Sequence, residues 1–337
     1  MTIPDAIARA VAGESLDEAE MATVMGRMMD GEATPAQIAS LLTALRMKGE
    51  TADELVGAAR AMRARMTPLR VTTPVVDTCG TGGDGLSTFN VSTAAALIAA
   101  GAGVAVAKHG NRAMSGRVGG ADVLEALGVT IDLSAAGVAR CIAEAGIGFC
   151  FAPRFHAAMR FAAAPRREIG IRTMLNLLGP LANPAGADAQ LVGVFAPGWT
   201  DVVAAALCRL GTRRALVVHG AEGLDEISAT GPTKVSEVAD GAVRTYHLEP
   251  RDFGVAAVAP APRADDAAAS AAIVRGVLAG DPGPARELAL VNAAAVLVVA
   301  GNAADWRDGY EQAARAIASG TAAAALARLV AASGATA

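Results

Sequence analysis

The fold is set by residues 75–112, which read VVDTCGTGGDGLSTFNVSTAAALIAAGAGVAVAKHGNR. A short apolar segment leads into a Gly-rich turn, and a helix is predicted to follow over Val91–Ala100. A second apolar segment, Gly103–Ala107, is predicted to be a buried strand. Short apolar strands that alternate with helices are typical of a mostly parallel sheet covered on both faces. We therefore predict an α/β fold.

The same alternation continues towards the C-terminus. Further strands are predicted at Val129–Ile131, Ile147–Phe151, Leu191–Phe195 and Ala215–His219, and further helices at Asp122–Leu127, Ala135–Ala145 and Asp201–Leu210. Residues 155–188 are rich in helix and turn signals and contain no clear strand. The last third of the chain is rich in alanine and is predicted to be mainly helical.

The first 67 residues predict helices only, near 4–12, 16–29, 35–48 and 52–66. Three pairs have the S/T-x-x-E/Q spacing of a capping box, in which two side chains satisfy each other's backbone N–H groups. The pairs are Ser15 with Glu18, Thr34 with Gln37, and Thr51 with Glu54. We predict a small helical domain over residues 1–70, joined by roughly 166–188, and a larger α/β domain over 74–165 and 189–337.

Composition limits the classes of partner. The chain has 337 residues, a net charge of −4 and no run of five or six like charges, so we predict no nucleic-acid and no membrane partner. Its four cysteines form no C-x-x-C pair and no Cys/His metal spacing, as expected of reduced thiols. No basic region followed by an apolar stretch begins the chain, so we predict a cytoplasmic protein.

The Gly-rich turn, Gly80–Gly85, has the G-x-G-x-x-G spacing of a dinucleotide site. Such a site also needs an acidic residue after the next strand, to hold the ribose hydroxyls. Here that strand ends in Lys108-His109-Gly110-Asn111-Arg112, which disfavours a dinucleotide. Two interpretations remain, a turn of tight geometry and an anion site at two neighbouring strand ends.

Polar side chains around this turn favour the anion site. Lys108 is one of only three lysines and is well placed as a point charge for phosphate, unless it is a solvated loop residue. Asn90, Ser92 and Thr93 begin a helix, where they could cap it or contact phosphate or metal-bound oxygen.

Two adjacent carboxylates follow a later strand. Asp225 and Glu226 suit Mg²⁺, because this hard cation bridges one or two carboxylates to substrate phosphates. The alternative is a solvated acidic pair on a loop.

Four blocks together resemble the anthranilate phosphoribosyltransferase family. They are DTCGTGGDGLSTFNVSTAAALIAAGAGVAVAKHGNR (Asp77–Arg112), GGADVLEALG (Gly119–Gly128), RREIGIRTMLNLLGPLANP (Arg166–Pro184) and HGAEGLDEIS (His219–Ser228). The resemblance runs from the N-terminal helices to about residue 235. It implies a homodimer in which each chain has a small helical and a larger α/β domain, with the site between them.

The resemblance also implies substrates and site residues. The donor, 5-phosphoribosyl 1-diphosphate, would be bound by Gly80, Thr81, Gly82, Gly83, Asp84, Thr88, Asn90, Val91, Ser92, Thr93, Lys108, His109, Gly110, Asn111, Arg112, Ser115, Gly116 and Gly120. Anthranilate would contact Gly80, Asn111 and Arg166, the arginine facing its carboxylate. Mg²⁺ would be held by Ser92, Asp225 and Glu226, and Lys108 would help to stabilise the transition state.

The chain departs from the family pattern at three positions. Ala157 follows His156 where proline is usual, Leu175 stands where phenylalanine is usual, and Gly120 stands where serine is frequent. The first two positions bear on the anthranilate channel, and at the third any contact would come from the backbone.

The implied reaction joins the amine of anthranilate to the ribose and releases pyrophosphate, which is the second step of tryptophan biosynthesis from chorismate. An aromatic amine is a neutral nucleophile, so positioning and charge stabilisation would dominate catalysis. His109 is the nearest candidate for a general base and could equally be structural. Two rivals remain, a pyrimidine nucleoside phosphorylase on the same scaffold and a relative that binds nucleic acid through a basic groove.

Overall fold

A computed structural model of the chain describes residues 1–82, 86–113 and 118–335. Four helices begin it: α1 Ile3–Val11, α2 Glu18–Met29, α3 Pro35–Lys48 and α4 Ala52–Arg65. The capping boxes predicted at Thr34 and Thr51 are confirmed. The box predicted at Ser15 is wrong, because Asp17 caps α2 and pairs with Glu20. The N–H of the buried Leu16 instead donates to Glu54 Oε1 at 3.0 Å, which holds the chain outside the helix.

Seven strands form one sheet: β1 Val76–Gly80, β2 Val106–Gly110, β3 Ile147–Phe151, β4 Ala189–Gly193, β5 Arg214–Gly220, β6 Thr233–Ala239 and β7 Ala242–Leu248. Their order is β3-β2-β1-β4-β5-β6-β7. The first five strands pair in parallel, and the last two are antiparallel. The predicted α/β fold with a mostly parallel sheet is therefore confirmed. The strand order reverses between β1 and β4, and ligands of open α/β sheets bind at the carboxyl ends of the strands beside such a reversal.

Eleven further α-helices complete the described part of the chain: α5 Val91–Gly101, α6 Gly120–Ala126, α7 Ala135–Ala145, α8 Ala152–Phe155, α9 Arg160–Ile169, α10 Leu178–Leu181, α11 Trp199–Arg209, α12 Ala267–Ala279, α13 Pro284–Ala300, α14 Trp306–Ala318 and α15 Thr321–Gly334. One face of the sheet shares a hydrophobic cluster with α5 and α13. The opposite face shares a second cluster with α11, the four N-terminal helices and buried residues between Ala162 and Ala182. Alternate side chains of each strand, such as Leu191 and Val192, supply the two clusters.

Three predictions of secondary structure need correction. Val129–Ile131 is buried but is not a strand, because the Thr130 N–H donates to Ser333 Oγ of α15 at 3.0 Å and not to the sheet. The strand predicted at Gly103–Ala107 is β2, which begins at Val106 because Gly103 has a φ of 96° in the helix exit. The β6–β7 hairpin lies where mainly helix was expected.

The hairpin has a local signal that the alanine-rich surroundings obscure. Asp240 and Gly241 join β6 to β7 with φ values of 51° and 73°, the left-handed conformation that tight two-residue hairpin turns require. Within the described ranges, no single helix is long and apolar enough to cross a membrane, and two bent helix pairs meet that test on length and composition alone.

Candidate active site

The loop that carries Asp225 crosses the ends of two central strands. Gly80 of β1 and Gly193 of β4 are register partners. A Cβ atom at Gly80 would lie 2.4 Å from Asp225 Oδ2, and one at Gly193 would lie 1.5 Å from the Asp225 carbonyl oxygen. Both distances are far below van der Waals contact. At Gly193 the contact is with backbone atoms, so the loop can cross β4 only because this residue has no side chain, whereas at Gly80 the contact is with the Asp225 carboxylate.

Hydrogen bonds join this loop to the glycine turn. The Gly82 N–H donates to Asp225 Oδ2 at 2.7 Å, and Gly82 has a φ of 66°, which favours glycine. On the other side, the Thr81 N–H donates to the Gly193 carbonyl at 2.9 Å, and Thr81 Oγ1 accepts from the Phe195 N–H at 3.1 Å. The first part of the turn is therefore fixed against β4. Gly83 and Asp84, also predicted to bind the donor, lie outside the described residues.

Lys108 lies at the centre of the site. Its side chain is buried, with 3 % of the residue exposed, which excludes a solvated loop lysine. Nζ donates to the Thr78 carbonyl at 2.7 Å and to Ser92 Oγ at 2.9 Å, so the ammonium group joins β1 to the first turn of α5. Burial lowers the pKa of Lys108, and the nearby Asp77, Cys79 and Glu226 oppose that shift.

The N-terminus of α5 faces the same place. Asn90 caps the helix by accepting the Thr93 N–H at 3.0 Å, as predicted. The Thr93 hydroxyl is buried and has no hydrogen-bond partner among the described residues. A Cβ atom built on Gly120, which begins α6, would lie 3.8 to 3.9 Å from Lys108 Cε, Asn90 Nδ2 and Thr93 Oγ1. Val91 is buried beside them. An unpartnered hydroxyl at a helix N-terminus suits an anionic ligand.

Asp225 and Glu226 are not a solvated pair, since only 9 % and 8 % of their surfaces are exposed. Burial raises the pKa of the neighbouring Cys79 thiol well above its usual value, and Asp77, Glu226 and Asp225 add to the shift. In the described ranges no three His, Cys, Asp or Glu side chains form a metal cluster. The Ser92 hydroxyl is linked to this pair through Lys108, whose Nζ donates to Ser92 Oγ and whose pKa is affected by Glu226. Two carboxylates and a hydroxyl fit Mg²⁺, which would take its remaining oxygens from substrate and water.

A buried polar junction beneath the strand ends was not predicted. Asp77 accepts the His109 backbone N–H at 3.0 Å and Asn183 Nδ2 at 2.8 Å. His109 Nδ1 lies 3.0 Å from the Gly179 carbonyl, and the His109 and His156 rings are 5.0 Å apart. Burial lowers the pKa of His109 and takes that of His156 to about 3. The only signal in the sequence was an acidic residue inside a buried strand, next to the glycine turn.

The residues at the end of β2 and just after it make different kinds of contact. Gly110 ends the strand, and a Cβ there would lie 2.9 Å from the Phe149 ring. Asn111 Oδ1 accepts the Arg112 N–H at 2.8 Å. The Arg112 guanidinium forms ion pairs with Asp122 and Glu125, so its predicted contact with the donor would compete with two carboxylates. Ser115 and Gly116 lie outside the described residues.

Two predicted residues lie on other elements. Thr88, three residues after the glycine turn, forms an isolated bridge with Arg263. Arg166 is in α9 and is partly buried, and burial lowers the pKa of its guanidinium. In the part of the chain that the structure describes, the Arg166 side chain has no hydrogen bond and no ion pair. A partly buried guanidinium without an acidic partner suits an anionic ligand.

Comparison with known proteins places this geometry in a family. Residues 72–323 match the family model described as glycosyl transferase family, a/b domain, and residues 4–66 match glycosyl transferase family, helical bundle domain. Anthranilate phosphoribosyltransferase of Moorella thermoacetica is 57 % identical over 327 residues, covering 96 % of each chain. The chain belongs to the anthranilate phosphoribosyltransferase family.

Solved anthranilate phosphoribosyltransferases share the whole fold. The crystal structure from Thermus thermophilus has a TM-score of 0.90 and 46 % identity, and the match covers 97 % of this chain and 99 % of that one. The enzyme from Saccharomyces cerevisiae has been solved in complex with PRPP and Mg, with a TM-score of 0.88, 26 % identity and coverage of 99 % and 98 %. It has also been solved with 4-fluoroanthranilate, with a TM-score of 0.86.

Proposed function

We propose that this chain transfers the phosphoribosyl group of 5-phosphoribosyl 1-diphosphate to the amine of anthranilate. The products are N-(5-phosphoribosyl)anthranilate and pyrophosphate, the second step of tryptophan biosynthesis from chorismate. One observation carries the proposal: the Asp225 loop, the glycine turn and the Lys108–Ser92 pair meet at the reversal of strand order. The family's full-length relatives carry the name of this activity.

The donor is assigned to the strand ends. Backbone N–H groups of the first turn of α5 would hold its phosphates, with the Thr93 hydroxyl beside them. In the glycine turn, the Gly82 N–H already donates to Asp225 Oδ2, so a phosphate oxygen would have to displace that carboxylate there. The remaining donor residues are those that the family resemblance implies, namely Gly80, Thr81, Gly82, Gly83, Asp84, Thr88, Asn90, Val91, Ser92, Lys108, His109, Gly110, Asn111, Arg112, Ser115, Gly116 and Gly120. Anthranilate is assigned to Gly80, Asn111 and Arg166, the unpaired guanidinium taking its carboxylate.

Ser92, Asp225 and Glu226 are assigned to Mg²⁺. When bound, the ion would neutralise charge on the departing pyrophosphate. Lys108 orients the Ser92 hydroxyl through the 2.9 Å hydrogen bond and adds a fixed positive charge beneath the site. Since the charge is buried, it acts in a medium of lower dielectric and costs no reorganisation during the reaction.

The chain's other groups act by position. A neutral amine needs no strong base before it attacks, and His109 keeps Nδ1 against the Gly179 carbonyl, which fits a structural role. The helical domain is assigned to residues 1–70 with 166–188 on the family resemblance, and the match of residues 4–66 to the helical bundle model supports its first segment. We also assign a homodimer in the cytoplasm, on the family resemblance, and light scattering of the purified protein tests the dimer.

Anthranilate fluorescence tests the function directly. Purified protein, Mg²⁺, donor and anthranilate are mixed, and each is omitted in turn. Fluorescence should decline only in the complete mixture. The double variant Asp225→Ala with Glu226→Ala should lower turnover by about 10²-fold or more, as expected for the loss of a transition-state stabiliser. Near-normal Mg²⁺-dependent turnover in that variant would refute the metal assignment.

A further inference from the structure

A buried asparagine holds the backbone directly behind the acidic pair. Asn292 lies in the middle of α13 and is fully buried. Its Oδ1 accepts the Ile227 N–H at 2.9 Å, and its Nδ2 donates to the Ile227 carbonyl at 2.9 Å. The second Nδ2 hydrogen is donated to the Leu288 carbonyl at 2.8 Å. Both donors of the amide and its oxygen are therefore in use.

The middle of a buried, apolar helix is an unfavourable position for asparagine. Asparagine is a weak helix former, and the helix around it is almost entirely apolar and buried from Leu288 to Val299. Burying a carboxamide among apolar groups costs free energy unless each hydrogen bond is made. The three bonds offset that cost, and two of them go to one residue of another element. The Asn292 side chain therefore serves mainly to hold the backbone of Ile227 by hydrogen bonds.

Ile227 follows Glu226, so Asn292 fixes the segment that carries both proposed metal ligands. Two residues before Ile227, the Asp225 backbone rests on Gly193 and the Asp225 carboxylate rests on Gly80. The next residue after Ile227, Ser228, is held as well, because its N–H donates to Thr233 Oγ1 at 2.8 Å. The acidic pair is thus flanked by glycine contacts at Asp225 and by the Asn292 carboxamide at Ile227.

We propose that Asn292 is a positioning residue for the Mg²⁺ and diphosphate site, acting through the backbone of Ile227. The inference rests on the proposed function, since it concerns the same acidic pair. Outer residues that orient metal ligands typically change metal affinity by about 10-fold to 100-fold when they are replaced. A purely structural Asn292 would instead change stability and leave metal affinity alone.

Two variants separate these roles. Asn292→Asp keeps the shape and the acceptor for the Ile227 N–H, but it loses both donated hydrogen bonds and sets a carboxylate against two carbonyls. Asn292→Leu removes all three hydrogen bonds. Val299→Ala is the matched control, because it creates a cavity in the same buried helix, two turns away from Asn292.

Metal affinity is measured without turnover, by electron paramagnetic resonance of free Mn²⁺ titrated into the protein with and without pyrophosphate. Both Asn292 variants should bind Mn²⁺ at least about 10-fold more weakly than the wild type. Their Mg²⁺ half-saturation in the fluorescence assay should rise alongside, while the KM for anthranilate stays unchanged. Val299→Ala should lower the melting temperature and leave Mn²⁺ binding unchanged.

The outcomes distinguish this inference from the function itself. Wild-type affinity in both Asn292 variants, or an equal loss in Val299→Ala, overturns the role of Asn292 and leaves the function standing. If Asp225→Ala with Glu226→Ala binds Mn²⁺ like the wild type, the metal assignment fails first. Hydrogen exchange of the wild type gives a test without variants, since the Ile227 amide should exchange as slowly as the core of α13. Exchange at the rate of an exposed loop sinks the proposal.

Discussion

Replacing Gly193 with alanine should displace the acidic loop. The new Cβ would begin 1.5 Å from the Asp225 carbonyl oxygen and 2.3 Å from its carbonyl carbon. Backbone atoms cannot rotate away as the end of a side chain can, so either β4 or the loop must move. Because β4 is hydrogen-bonded on both sides, to β1 and to β5, we expect the loop to move.

The displacement can be estimated from the contact distance. To reach ordinary van der Waals separation, the two atoms must move apart by about 2 Å. A misplacement of about 1 Å in a catalytic site can cost about 10²-fold in rate. Gly193→Ala should therefore lower turnover by about 10²-fold or more and raise the Mg²⁺ concentration at half-saturation. Overpacking of this kind also costs about 1–3 kcal/mol of stability.

The assay is anthranilate fluorescence at several Mg²⁺ concentrations, with thermal unfolding measured in parallel. Gly198→Ala is the control, since a Cβ there meets no atom within 4 Å and its φ of −67° suits alanine. That variant should behave like the wild type. If Gly193→Ala keeps the wild-type turnover and Mg²⁺ dependence, then the Asp225 loop does not need its position across the strand ends.

Three further predictions concern single side chains. Arg166→Gln should raise the KM for anthranilate by about 10-fold or more, the value of a charge-assisted hydrogen bond, and an unchanged KM would remove the arginine from the acceptor site. Lys108→Met should lower kcat by about 10²-fold, because it removes a buried charge and the hydrogen bonds from Nζ to Ser92 Oγ and the Thr78 carbonyl, and near-normal kcat would contradict the assignment. The third prediction concerns His156, whose pKa is about 3 in the folded protein and 6.5 in the unfolded chain. Between these pH values the unfolded chain binds more protons than the folded protein, so the free energy of unfolding decreases as pH falls. Between pH 7 and pH 5 the wild type should lose about 2 kcal/mol more than His156→Gln in urea unfolding, and equal losses would show that His156 does not titrate as described.

Much of the fold follows from local patterns. The strand before the glycine turn, the helix after it, the caps at Thr34, Thr51 and Asn90, and the helix and strand at Ala135–Ala145 and Ile147–Phe151 agree with the prediction. Each of these elements depends on residues that are close together in the sequence, so short-range spacing is enough to predict it. Val129–Ile131 misled because burial alone imitates a strand, and its contacts with α15 come from about 200 residues later in the chain.

The residues of the site also fall into two groups, those that the sequence indicates and those that only the structure reveals. Gly80, Lys108, Asp225 and Glu226 could be singled out by residue type at strand ends. Gly193 and Asn292 could not be singled out from the sequence, because their importance comes from their contacts with the loop that carries Asp225 and Glu226. The role of Arg112 could not be judged from the sequence either, since its ion pairs with Asp122 and Glu125 depend on where the chain places α6.

Sequence alone thus determined the order of helices and strands, the glycine turn and the chemical types that serve a diphosphate and a cation, because these depend on neighbours along the chain. Tertiary structure alone decided that the Asp225 loop crosses Gly80 and Gly193, and that Lys108 is buried and hydrogen-bonded to Ser92. It also decided that Asn292 of α13 forms hydrogen bonds with the backbone of Ile227. The reason is that the reversal of strand order brings β1 and β4 side by side, although two other strands lie between them in the chain, and no local pattern encodes that pairing.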